Sequence, residues 1–174
     1  TVSGFIHTSA IVNVGTLSKV GAGIISANGA ITIFTEVEVD GNIETGAGAI
    51  NVFPNSSISG SVISTGDGAV TIATNVNIGG DIQNFGGAIT VNDGSTVVGN
   101  IIISGAGAMT ATNTDIGGYI STATGAITLT GSNVGGTVTI ESGALPTTTG
   151  GSTENALPDQ LQIHHFQIEH DGQG

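Results

Sequence analysis

The chain has 174 residues, of which 38% are apolar and 8% charged, with 30 glycines, a single lysine, no arginine, 13 carboxylates and no cysteine. A formal charge of −12 leaves no basic groove to release phosphate counterions, which excludes nucleic acid and anionic membrane surfaces as partners; the missing cysteines exclude disulfides, thiolate metal sites and thiol redox chemistry. No apolar run approaches the roughly 20 residues that cross a bilayer, so membrane insertion is excluded too, and the apolar fraction suffices for one folded domain.

The sequence opens on Thr1 rather than Met, which predicts an exported product, extracellular or at the cell surface, with its signal removed. Residues 1–8, with Val2, Phe5 and Ile6, read as an N-terminal segment, either a cap or an exchanged strand. From residue 9 to residue 145 one phrase keeps returning: Gly29-Ala30-Ile31-Thr32-Ile33, Gly48-Ala49-Ile50-Asn51-Val52, Gly68-Ala69-Val70-Thr71-Ile72, Gly87-Ala88-Ile89-Thr90-Val91, Gly107-Ala108-Met109-Thr110-Ala111 and Gly125-Ala126-Ile127-Thr128-Leu129. Successive copies start 19, 20, 19, 20 and 18 residues apart. Weaker copies at Ser9-Ala10-Ile11 and Gly143-Ala144-Leu145 bring the total to about eight. Halfway through each period lies an aliphatic-x-Gly-x-aliphatic phrase, centred on Gly41, Gly60, Gly80, Gly99, Gly118 and Gly136.

Aliphatics alternating with small polar residues give the period of two that marks strands, and their β-branching favours strands over helices. A period near 19 with two or three short strands fits one coil of a β-helix. The expected fold is therefore all-β: a single-stranded right-handed parallel β-helix of about eight coils of 18–20 residues, roughly 38 Å long at strand spacing, plus a C-terminal strand. The recurrent glycines read as corners that need a positive φ. In the coil from Gly68 to Ile82, alternation turns Val70, Ile72, Val76, Ile78 and Ile82 inward, and turns Ala69, Thr71, Asn75 and Asn77 outward or to corners. Repeated along the rod, the pattern yields an outward face of small residues: Ala30, Thr32, Ala49, Asn51, Ala69, Thr71, Ala88, Thr90, Ala108, Thr110, Ala126 and Thr128.

Residues 146–160 are rich in Pro, Thr, Gly and Ser and read as a flexible linker. Residues 161–174 follow as a C-terminal strand, in which Leu161, Ile163, Phe166 and Ile168 alternate with a slip at His164 and His165. A linker ahead of one spare strand suits either a cap on its own rod or an exchange with a neighbouring subunit, because a solenoid end is an unpaired edge.

The phrase carried by Val39-Asp40-Gly41-Asn42-Ile43 and by Val98-Gly99-Asn100-Ile101 resembles that of the bactofilins, over roughly residues 9–145. The resemblance implies a right-handed β-helix core and polymerisation by end-to-end stacking. The chain departs from those proteins in its near lack of Lys and Arg, its Gly-Ala-Ile-Thr phrase and its spare terminal strand, departures that point away from a cytoplasmic skeleton. A looser similarity to the repeats of filamentous-haemagglutinin-type adhesins implies an extracellular setting, although the Asn-Pro motifs of their secretion domains are missing.

Chemistry is sparse. Position 81 holds Asp, but the same phase of adjacent coils holds Ser61 and Asn100, so no paired carboxylates for glycoside hydrolysis form there. Neither a nucleophile elbow nor a phosphate loop occurs. Glu36, Glu38 and Asp40 share one outward face about 7 Å apart, which reads as a weak calcium site or, more plainly, a solvated face. His164, His165 and His170 lie on opposite faces or roughly 20 Å apart along a strand, so one chain cannot chelate with them; bridging between subunits or packing within the strand are the readings left. Asn55-Ser56-Ser57 fits a glycosylation acceptor. No cofactor is implied. The expectation is a structural, non-enzymatic protein that assembles with its own copies into a filament or surface layer. The alternatives are ice binding through the Ala/Thr face and a monomeric adhesin or spacer module.

Overall fold

A computed structural model describes residues 1–142, 145–150 and 153–154. They form a right-handed parallel β-solenoid of three eight-stranded sheets. The first coil holds β1 (Ile6–Thr8), β2 (Val12–Val14) and β3 (Lys19–Val20). The second holds β4 (Ile24–Ser26), β5 (Ile31–Ile33) and β6 (Glu38–Val39), and the third β7 (Ile43–Thr45), β8 (Ile50–Val52) and β9 (Ser57–Ile58). Next come β10 (Val62–Ser64), β11 (Val70–Ile72) and β12 (Asn77–Ile78), then β13 (Ile82–Asn84), β14 (Ile89–Val91) and β15 (Thr96–Val97). The sixth coil is β16 (Ile101–Ile103), β17 (Met109–Thr112) and β18 (Asp115–Ile116); the seventh is β19 (Ile120–Thr122), β20 (Ile127–Thr130) and β21 (Asn133–Val134). An eighth is represented by β22 (Val138–Ile140), β23 (Thr147–Thr149) and β24 (Thr153–Glu154). Every third strand pairs, in parallel and without a register slip, so that each residue stacks on its equivalent one coil away.

Strands this short have no stability of their own. What fixes them is the core: Val70, Ile72, Val76, Ile78 and Ile82 are all at most 1% exposed, each contributing about 1.5–3 kcal/mol of burial. Of the residues expected outside, Ala69, Asn75 and Asn77 are exposed and Thr71 is half-buried. The predicted alternation therefore holds, with three strands per coil.

The three corners differ in construction. Between the first and second sheets the chain turns around buried polar side chains: Ser26, Thr45, Ser64, Asn84 and Thr122 stack in one column, interrupted by Ile103. The Ser26 hydroxyl donates to the Ala10 carbonyl and accepts the Gly29 N–H, both at 2.9 Å. Asn84 repeats this with its amide, donating to the Gly68 carbonyl at 2.9 Å and accepting the Gly87 N–H at 3.2 Å. No buried side-chain polar atom among the described residues lacks a partner, as a buried network must satisfy itself to be tolerated.

Between the second and third sheets each coil spends one residue in the left-handed region: Leu17, Glu36, Asn55, Asn75, Gly94, Asn113, Gly131 and Gly150, with φ from 46° to 70°. Here the structure corrects the expectation for the corner glycines. Gly41, Gly60, Gly80, Gly99, Gly118 and Gly136, between the third and first sheets, are not among the positive-φ residues. They are needed for close approach. A Cβ at Gly118 would sit 2.7 Å from the Gly99 carbonyl oxygen and would also strike the Asn100 side chain, which lies there because its Oδ1 accepts the Tyr119 N–H at 3.0 Å.

Both boundaries of the solenoid shift outward as well. Ile6–Thr8 lies in the first sheet, paired with Ile24–Ser26, so the coils begin before residue 9. Within the expected linker, Thr147–Thr149 pairs with Thr128–Thr130, and Thr153–Glu154 with Asn133–Val134. Threonine suits a strand well, and the ladder offered by the seventh coil outweighs the turn-forming composition around it. The C-terminal strand at 161–174, with Leu161, Ile163, Phe166 and Ile168, lies outside the described residues.

Candidate assembly surfaces

The second sheet presents a regular row of small polar residues. Its central outward row runs Asn13, Thr32, Asn51, Thr71, Thr90, Thr110, Thr128 and Thr147, each paired in register with the next. Beside it stand the predicted alanines, whose carbonyls accept backbone N–H groups from the preceding coil, as Ala88 does from Val70 at 2.9 Å. The structure thus gathers all twelve residues of the expected small-residue face on one side. On the other flank of the threonine row the surface is uneven: Phe34 and Phe53 stack with ring centroids 5.6 Å apart, and Ala73, Asn92, Thr112 and Thr130 continue the row.

The third sheet carries the single lysine. Lys19 pairs in register with Glu38, and its Nζ lies 2.7 Å from Glu38 Oε1 and 3.1 Å from Asp40 Oδ2. The hydrogen bond to Glu38, then that to Asp40, raises the lysine above its ordinary value. Glu36 stands apart at the left-handed corner. Glu36, Glu38 and Asp40 therefore do not converge on a cation site: two of them are engaged by Lys19, and no group of three His, Asp or Glu side chains that could hold a metal ion occurs among the described residues. No helix among them is long and apolar enough to cross a membrane.

The ends of the rod are where pairing stops. β1 and β2 terminate their sheets and pair on one side only among the described residues. β3 is covered by a single bridge, in which the Val2 N–H donates to the Lys19 carbonyl at 2.8 Å and its carbonyl accepts the Gly21 N–H at 2.7 Å. Core positions loosen accordingly: Ile6 at one end and Val138 and Ile140 at the other are half-buried, whereas Ile24 and Ile120 one coil inward are fully covered. The sequence reading missed the left-handed column and the buried polar column. The signal for the first was Asn or Gly two or three residues past the buried pair of the second sheet, as at Asn55, Asn75, Gly94 and Asn113. For the second, it was a polar residue in an inward phase.

Comparison with known proteins returned no matching family model, no similar curated protein and no similar solved structure.

Proposed function

We propose that this protein is a structural, self-assembling β-solenoid that works outside the cell by stacking with its own copies into a filament or surface layer, and that it carries out no catalysis. The observation behind this reading is the pair of sheet edges left at β1 and β2, lying over a cross-section that repeats in register along the rod. An exposed, in-register edge over an apolar core is a template for another chain. The resemblance to bactofilins points the same way, and their β-helical core is compatible with the fold. The terminal segment with Leu161, Ile163, Phe166 and Ile168 would reinforce such contacts by strand exchange.

The test is negative-stain electron microscopy of the purified chain with and without residues 159–174. Uniform filaments support the reading, and their loss on truncation assigns the terminal segment to the contact; short single rods in both samples overturn it. One observation favours a second reading, ice binding: the unbroken in-register row from Asn13 to Thr147 beside the alanines. Thermal hysteresis in a dilute, non-assembled sample supports that alternative, and its absence removes it.

A further inference from the structure

Resting on the reading of self-assembly, we infer that copies join head to tail, the C-terminal coil of one docking on the N-terminal coil of the next, with Ile11 of one copy beside Leu145 of the other. The ground for this is what occupies the corners of the first coil. Phe5, Ile11 and Leu17 are 69%, 67% and 77% exposed, and they stand one at each of its three corners. Further along the rod the corresponding positions are small or polar, with Tyr119 the exception. In the Phe5 column, Gly23, Asn42, Ser61, Asp81, Asn100, Tyr119 and Thr137 follow; after Leu17 come Glu36, Asn55, Asn75, Gly94 and Asn113. The column of Ile11 contains the alanines from Ala30 to Ala126, and it ends at Leu145. Thr147 pairs with Thr128, so Leu145, two residues earlier, falls on the phase of Ala126, and it is 90% exposed. One row of the rod is therefore alanine throughout, with a large aliphatic at each end.

A second copy is the occupant that makes use of both ends. Continuing the stack by one rung brings Leu145 of one copy next to Ile11 of the following one, pairs β22 and β23 with β1 and β2, and covers the half-buried Ile6, Val138 and Ile140 in the same step. On the third edge Val2 and Thr153–Glu154 would claim the same rung, so one of them gives way. A contact between unlike surfaces whose repeat is a translation does not close on itself and gives an open fibre.

The absence of cysteine provides a clean test. Adjacent rungs place Cα atoms ~4.8 Å apart, inside the disulfide range of ~4.4–6.8 Å, while within one chain the two positions are far outside it. The double variant Ile11→Cys/Leu145→Cys, assembled and mildly oxidised, is expected to give a ladder of covalent oligomers on a non-reducing gel, and the double variant Ala88→Cys/Leu145→Cys is not. As a second measurement, Ile11→Asp and Leu145→Asp are expected to stay monomeric at concentrations at least about tenfold above the wild-type assembly threshold. Each keeps one intact end, so their equimolar mixture should yield dimers and nothing longer. Wild-type filaments without a ladder from the Ile11→Cys/Leu145→Cys variant, a ladder from Ala88→Cys/Leu145→Cys, or Asp variants that polymerise normally overturn the joint and leave self-assembly standing. A wild-type chain that never assembles overturns both.

Discussion

Glu36 provides the sharpest test of how the rod turns its corners. It holds φ at 58° in a column otherwise filled, from Asn55 onward, by Asn and Gly. An L-residue in the left-handed region costs about 1–2 kcal/mol, which glycine escapes, although glycine also loses about 0.4–1 kcal/mol through the greater freedom of its unfolded chain. The glycine variant should therefore exceed the alanine variant by about 0.5–1 kcal/mol. Both substitutions remove the same charge beside Glu38 and Asp40, and both keep the backbone N–H that donates to the Pro54 carbonyl at 3.1 Å, so their difference isolates the dihedral. For a chain of this size the gain corresponds to a melting temperature about 1–4 °C higher for Glu36→Gly than for Glu36→Ala, read by circular dichroism on non-assembled protein. Equal melting temperatures, or a more stable alanine variant, would refute the claim that the corner dihedral carries the cost.

Three further expectations concern other columns. Ser95 is buried, with its Oγ accepting the Val76 N–H at 3.1 Å and donating to the Ala73 carbonyl at 2.7 Å; Ser95→Ala should cost about 1–3 kcal/mol, and a melting temperature unchanged from wild type would contradict it. The Phe34–Phe53 stack, with planes inclined at 22°, should give a coupling of about 0.5–1.5 kcal/mol in a double-mutant cycle to alanine, whereas additive losses would show that the rings act independently. Lys19 is raised above 10.5 by its hydrogen bonds to Glu38 and Asp40, so its contribution is fully present below the unfolded value and is lost as pH rises through the higher folded one. Lys19→Met should therefore flatten the alkaline limb of the stability profile, and superimposable alkaline limbs in the two proteins would remove the linkage.

How legible each feature was in the sequence follows from how many residue types its environment tolerates. The interior of the second sheet accepts little besides Val and Ile in its short strands, so Val70, Ile72, Ile89 and Val91 repeat almost letter for letter and announce the strands. At the left-handed corner the requirement is a dihedral rather than a side chain. Asn and Gly meet it cheaply, and Leu17 and Glu36 meet it at a cost, so the letters vary and the column hides. For the glycines from Gly41 to Gly136 the letter was visible, but two physical demands write the same letter. A positive φ and a near backbone both select glycine, and only the position of Asn100 over Gly118 shows that crowding is the one at work.

The same logic explains why Thr147–Thr149 and Thr153–Glu154 pair with the seventh coil and where assembly should be sought. A coil inside the rod is judged by neighbours on both sides and converges on a consensus, whereas a terminal coil is constrained from one side only. Thr147–Thr149 can join the second sheet without a buried aliphatic because only its pairing with Thr128–Thr130 demands anything of it. By the same relaxation, end coils are free to drift toward polar residues, as solubility favours. The first coil carries Phe5, Ile11 and Leu17 at its corners and the eighth carries Leu145 in the alanine row, so this chain departs from the consensus at its ends in the direction opposite to the one solvent would select. In the row from Ile11 to Leu145 the large aliphatics stand only at the two ends, with alanine between them, which is what end-to-end contact with another rod requires.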